Sequence, residues 1–252
     1  MQARGWMAIS ALLIGSVGIT AQGPGGWGGF RGGFGGRPGK VVTGVPYTAS
    51  STSTSIEKLT DGTTITHSST GVEARDSMGR TVHTTTTAGG GSGASFTRTA
   101  VMDPVAQTLT NWGSQSTTAT SMQLPNFAGG WGGNGNSKPA NTGGPPNGGR
   151  VHPQVTTVTL TPKTIAGVNA TGVKTTITIP AGAEGNDKPI VSTREVWTST
   201  DLNIVVLEIS DSPRDGFHKM EVTSLTPGEP AATLFQVPQG YTVKAQTRHR
   251  GQ

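Results

Sequence analysis

Val173-Lys174-Thr175-Thr176-Ile177-Thr178-Ile179 is the stretch that decides the fold. Val173, Thr175, Ile177 and Ile179 alternate with Lys174, Thr176 and Thr178. A period of two places the two sets on opposite faces of a β-strand. Threonine is β-branched and suits a solvent-facing strand position. The same chemistry recurs upstream in THSST, VHTTTT, STTATS and TTVTLT.

Downstream, Ile204 to Ile209 is apolar on both parities up to Glu208 and reads as a central strand, while Met220 and Val222 alternate with Lys219 and Glu221. Turn chemistry separates these runs. Asp61-Gly62 is a hairpin signal, and Asp76-Ser77-Met78-Gly79 suits a type I turn ending in glycine. Strands are expected near 42–48, 52–59, 63–73, 80–87, 95–102, 106–111, 116–123, 153–161, 171–179, 190–199, 203–210 and 217–226. Only one short helical turn, Pro230 to Leu234, is expected. Consecutive strands joined by short turns predict an all-β fold built as a large antiparallel meander.

That meander has a packing problem. The apolar fraction is 32% and aromatics make up 5%, against 39 glycines. One face of an antiparallel sheet can meet water, but the other must be covered, and no helix layer is in view. The sheet is therefore expected to curl into a half-barrel or open barrel, to bind something, or to associate.

The N-terminus adds an address. Arg4 precedes an apolar run from Met7 to Ile19, and Thr20-Ala21 offers small residues for cleavage before Gln22. This is the layout of a cleavable secretory signal peptide. The run is shorter than the roughly 20 apolar residues of a membrane-spanning helix, so no stable membrane anchor is expected after cleavage. The chain has no cysteine, which rules out both a lipidated anchor and disulfide staples. A bacterial periplasmic or secreted location fits best.

Two low-complexity segments interrupt the strand pattern. Residues 22–40 hold ten glycines, and 129–150 hold nine. Neither composition can pack a core. The expected organisation is a signal peptide at 1–21, a disordered Gly-rich arm at 22–40, and a single β domain over 41–252. A disordered Gly/Asn/Pro-rich loop at 129–150 interrupts that domain.

The pI near 9.8 suggests nucleic acid, but its distribution argues otherwise. Outside residues 1–40 and 129–150 the chain holds 13 basic and 14 acidic residues. The excess positive charge lies in the low-complexity segments, the export segment and the tail Arg248-His249-Arg250. The RGGFGGR arm is read as a spacer, because an exported protein is a poor RNA partner.

Further stretches carry a resemblance. Thr164-Ile165-Ala166-Gly167-Val168, Ile179-Pro180-Ala181-Gly182 and Gly185-Asn186-Asp187-Lys188-Pro189-Ile190 resemble a family of exported bacterial proteins common in acidobacteria. Glu195-Val196-Trp197-Thr198-Ser199, Ser210-Asp211-Ser212-Pro213-Arg214-Asp215-Gly216 and the ending Leu234-Phe235-Gln236-Val237-Pro238 continue the match. Arg75 to Thr81 and Asp103-Pro104-Val105-Ala106 resemble the family's turn motifs. The similarity covers most of 42–128 and 151–246. More distantly, the layout is similar to the LolA-like lipoprotein-carrier half-barrels, whose incomplete barrel holds acyl chains. Their lid helices have no counterpart here. The resemblance implies a half-barrel and a lipid-like ligand or envelope partner, with Trp197 and Phe235 as candidate ligand-binding residues. As plain strand chemistry, both aromatics are better read as core, with Leu234-Phe235 pinning the C-terminal segment to the sheet.

Catalytic motifs are missing. There is no Gly-x-Ser-x-Gly, no His-Glu-x-x-His and no phosphate-binding glycine loop. His67, His83, His152, His218 and His249 are scattered, and no metal or other cofactor is expected. If the Asp76–Gly79 turn is a hairpin, Arg75 falls near Arg80 and His83 near Val72. Asp201, Glu208, Asp211 and Asp215 form a local acidic group, with Arg214 and Lys219 as counter-charges. Calcium is held by such oxygens, but the spacing matches no calcium loop, so turn capping is the better reading. The leading functional expectation is an exported, non-enzymatic protein binding an apolar ligand or an envelope partner in a curved sheet. A continuous apolar concave face would support it, and one lined by Thr and Lys, or filled by its own side chains, would overturn it. The alternatives are a secreted structural or adhesive surface protein, or a hydrolase with a dispersed acidic site.

Overall fold

A computed structural model of the protein describes residues 41–89, 93–124 and 152–246. The expected signal peptide (1–21), Gly-rich arm (22–40) and inner Gly-rich loop (129–150) lie outside the described residues. The first run of strands is β1 (Tyr47–Lys58), β2 (Thr64–Arg75), β3 (Thr81–Thr87), β4 (Phe96–Asp103), β5 (Thr108–Gly113) and β6 (Thr118–Gln123). The second is β7 (Gln154–Ile165), β8 (Val168–Ile179), β9 (Ile190–Ser199), β10 (Ile204–Ser212) and β11 (Gly216–Pro227), followed by β12 (Thr242–Gln246). All twelve join one sheet in the order β12-β6-β5-β4-β3-β2-β1-β11-β10-β9-β8-β7. The sheet does not close on itself, so the fold is an all-β, open, curved half-barrel.

The topology is two meanders rather than one. β1 to β6 run outward from the centre of the sheet, and β7 to β11 run inward from the far edge. They meet where β1 pairs antiparallel with β11. β12 then crosses to the other side and lies parallel to β6. Extra residues on one strand disturb the ladders at Ser50/Ser51, at Val205/Leu207 and at Leu160/Lys163. Such bulges bend a strand and increase its twist, which suits a sheet that curves.

Of the strand expected at 42–48 only Tyr47 and Thr48 are extended in the sheet; they open β1, which runs on without a turn through the strand expected at 52–59, while 42–46 lie outside any strand. The short helical turn is present as a 3-10 turn at Ala232–Phe235. The Asp76–Gly79 hairpin forms, but its register is one residue from the expected one. Asp76 N–H donates to Arg80 O at 3.0 Å, so the loop proper is Ser77-Met78-Gly79, closed by Gly79 at φ +84°. Arg75 therefore faces Thr81, and His83 faces Glu73 rather than Val72.

The buried core is small. One cluster holds Tyr47, Ala49, Ile165, Ala170, Trp197, Leu202, Val206, Leu207 and Val222. A second holds Ala74, Val82 and Val101, with Trp112, Leu234 and Phe235 packed against it. Between them Arg75 is buried under an unusual load. It donates to Val45 O and Leu202 O and lies 4.9 Å from the Tyr47 ring centre. Tyr47 O–H donates in turn to Glu73. Burial, and then the Glu73 carboxylate, push the Tyr47 phenol well above its ordinary pKa.

Candidate functional site

The register assigns side chains to faces, since direct cross-strand partners share a face and successive residues alternate. One row runs Glu73, His83, Ala100, Asn111, Thr120 and Lys244 across β2, β3, β4, β5, β6 and β12. Two rows along, on the same face, Gly71, Thr85, Arg98 and Gly113 align. Thr87 and Phe96 form the next row of that face. Ala100 and Gly113 carry little or no side chain, so the sheet is hollow there. A methyl group on Gly113 would lie 3.0 Å from Thr97 O.

The hollow is an open groove of about 600 Å³. Its lining includes His83, Thr85, Phe96, Arg98, Asn111 and Thr120, with Trp112 and Thr118 beside them. The C-terminal segment extends the sheet on this side. Tyr241 O–H donates to Gly113 O at 3.0 Å, and β12 sets Lys244 beside Thr120.

The lining is not the continuous apolar face expected of a site for an apolar ligand: threonines dominate it, with a histidine and an arginine among them. Each threonine presents a methyl and a hydroxyl, and the Phe96 ring and the Arg98 guanidinium add to them, while the Trp112 side chain belongs to the opposite face with the second core cluster. Among the described residues no carboxylate lines the groove. The nearest acid of the same face in the shared row, Glu73, is engaged by Tyr47. Arg98 forms no ion pair among the described residues. A ligand with acceptor oxygens or a negative charge and an apolar part suits this surface.

One pair of side chains in the groove has the geometry of proton exchange. His83 Nε2 and Thr85 Oγ1 lie 3.0 Å apart, which is hydroxyl–imidazole geometry. A nucleophile–base pair needs a third group to orient the imidazole. Glu73 stands opposite His83, yet its hydrogen bond is made to Tyr47.

The residues singled out in the sequence lie elsewhere. Trp197 is buried in the first core cluster, stacked on Gly172, its direct cross-strand partner. The Lys163 ammonium lies 3.9 Å from its ring centre, and the indole N–H donates to Glu195 at 2.6 Å. Phe235 sits in the 3-10 turn against the second core cluster, with Arg80 at 5.1 Å from its ring. Neither lines the groove, and they belong to separate clusters.

The acidic group is dispersed in the same way. Glu208 pairs with Arg194, and Asp215 accepts from Ser212 Oγ. The counter-charges go to other partners, Arg214 to Glu184 and Lys219 to Glu221. Among the described residues no cluster of three metal-binding side chains forms. No helix of the described residues is long and apolar enough to cross a membrane.

No family model and no curated protein matches the chain. Solved structures do. One is an uncharacterized conserved protein from Thermus thermophilus, at 9% identity over 80% of this chain and 90% of that one, with a TM-score of 0.41. MucB in complex with MucA(peri) is similar at 12% identity over 78% of this chain, with a TM-score of 0.39, and only 55% of that chain is spanned. A LolA superfamily protein from Nitrosomonas europaea is similar at 7% identity over 76% of this chain and 90% of that one, with a TM-score of 0.30.

Proposed function

We propose that this is an exported, non-enzymatic binding protein of the bacterial envelope that holds an amphipathic, anionic ligand in the groove of its curved sheet. One observation carries the reading. The groove combines threonine methyls and the ring of Phe96 with Arg98, which has no ion-pair partner among the described residues, and with no lining acid. A purely apolar ligand would leave the Arg98 guanidinium without a partner, which is costly once water is displaced. A molecule with an apolar chain and an anionic head, of lipid type, satisfies both parts. Export is supported by the charged, apolar and small-residue order of the first 21 residues.

The test is gentle purification of the exported protein followed by mass spectrometry of what copurifies. The expected result is an anionic amphiphile on the wild type. Occupancy should fall at least about ten-fold in Arg98→Glu, because a charge-assisted contact is replaced by repulsion. If nothing copurifies and a fluorescent fatty acid fails to bind the emptied protein, the reading is wrong.

A further inference from the structure

Among the described residues β7 is an edge of the sheet, with β8 on one side and no strand on the other. It is long for an edge, at twelve residues. Exposed edges invite pairing with another chain, and proteins usually blunt them with lysine, proline, a bulge or short length. Here those devices sit at the borders. Pro153 precedes the strand, and Pro162 and Lys163 coincide with its bulge. Between them Gln154-Val155-Thr156-Thr157-Val158-Thr159-Leu160-Thr161 carries no charge and no proline. Alternation directs the N–H and C=O of every second residue away from β8. Val155 and Val158 are 61% and 54% exposed, and their spacing puts them on opposite faces of the edge.

We propose that Gln154–Thr161 pairs antiparallel with the same segment of a second copy, joining two sheets edge to edge. Pairing about a twofold axis brings a strand against itself. A charge at the axis would then meet its own copy, and the window carries no charge at any position. With the axis at Thr157, Val155 falls opposite Thr159, and Thr156 opposite Val158. Each exposed valine thus meets a threonine on its own face, a pairing that suits β-branched side chains. The opposite edge lacks this property. β12 is five residues long and carries Lys244 at its centre. This inference does not depend on the ligand reading, since β7 contributes nothing to the groove.

Sedimentation velocity of the full chain over two decades of concentration tests it. The wild type should form a dimer that dissociates on dilution. Thr157→Lys and Thr157→Glu should each be monomeric with unchanged circular dichroism. Mixing the two variants in equal amounts should restore a dimer, because opposite charges then face each other across the axis. A wild type that stays monomeric throughout overturns the proposal. So does a Lys variant that still dimerises, or a mixture that remains monomeric.

Discussion

Gly172 and Trp197 show how one residue's absence of side chain supports another's bulk. The two are direct partners across β8 and β9, and the indole lies where a Gly172 side chain would go. A Cβ at Gly172 would sit 2.7 Å from three ring atoms. Gly172→Ala must therefore displace the ring, and with it the stack under Lys163. Overpacking of this kind costs about 1–3 kcal/mol, to be read as a lower urea midpoint at unchanged slope. Wild-type stability in the Gly172→Ala protein would show that the ring moves freely.

His218, on β11, gives a second residue-level expectation. Burial lowers its pKa below the ordinary imidazole value, and the Glu208 carboxylate opposes this. The unfolded chain thus takes up the proton more readily than the fold does. Its contribution is present above the ordinary value near 6.5 and is lost as pH falls through the lowered one. The melting temperature should drop between about pH 7 and pH 5, and the drop should be smaller in His218→Gln. Equal slopes in both proteins would count against this role.

At the scale of elements, β12 matters most. It satisfies the outer side of β6, with Tyr241 fastened to Gly113. Ending the chain after Gly240 should raise the amide exchange rates of β6 by at least about ten-fold, since a ladder bond lost to solvent loses its protection. Exchange in β8 and β9 should not change. Uniform exchange across the sheet would mean that β12 is not a local clasp. β12 is also the element hardest to see in the sequence. Thr242-Val243-Lys244-Ala245-Gln246 has a single large apolar residue, and its partner is more than a hundred positions away. β8, by contrast, declares itself through Val173 to Ile179. Its N-terminal extension is hidden because Ile165-Ala166-Gly167-Val168 looks apolar, although Ala166 and Gly167 turn the chain at φ +49° and +82°.

The whole molecule is a broad sheet with a thin core, and that much follows from composition: abundant Thr and Gly cannot fill an interior. The curl into an open half-barrel is legible from the shortage of apolar cover. The groove is not. His83, Arg98 and Asn111 come from three strands and two neighbouring rows of one face, brought together only through register, and no local motif announces such a grouping. Trp197 and Phe235 stand out as large aromatics in a poor sequence, yet their bulk is used for packing, each in its own core cluster. The placement of β1 has a consequence for biogenesis. β1 is made before the other strands of the sheet, but it lies at the centre, and its second neighbour ends only at Pro227. Until the ribosome has delivered that partner, the strand destined for the middle is a raw border open to proteases and to neighbouring nascent chains. The run Ser50-Ser51-Thr52-Ser53-Thr54-Ser55 keeps that temporary border wettable, so the hydroxyl-rich strand that seems ill suited to a central position is suited to the long wait before it becomes central.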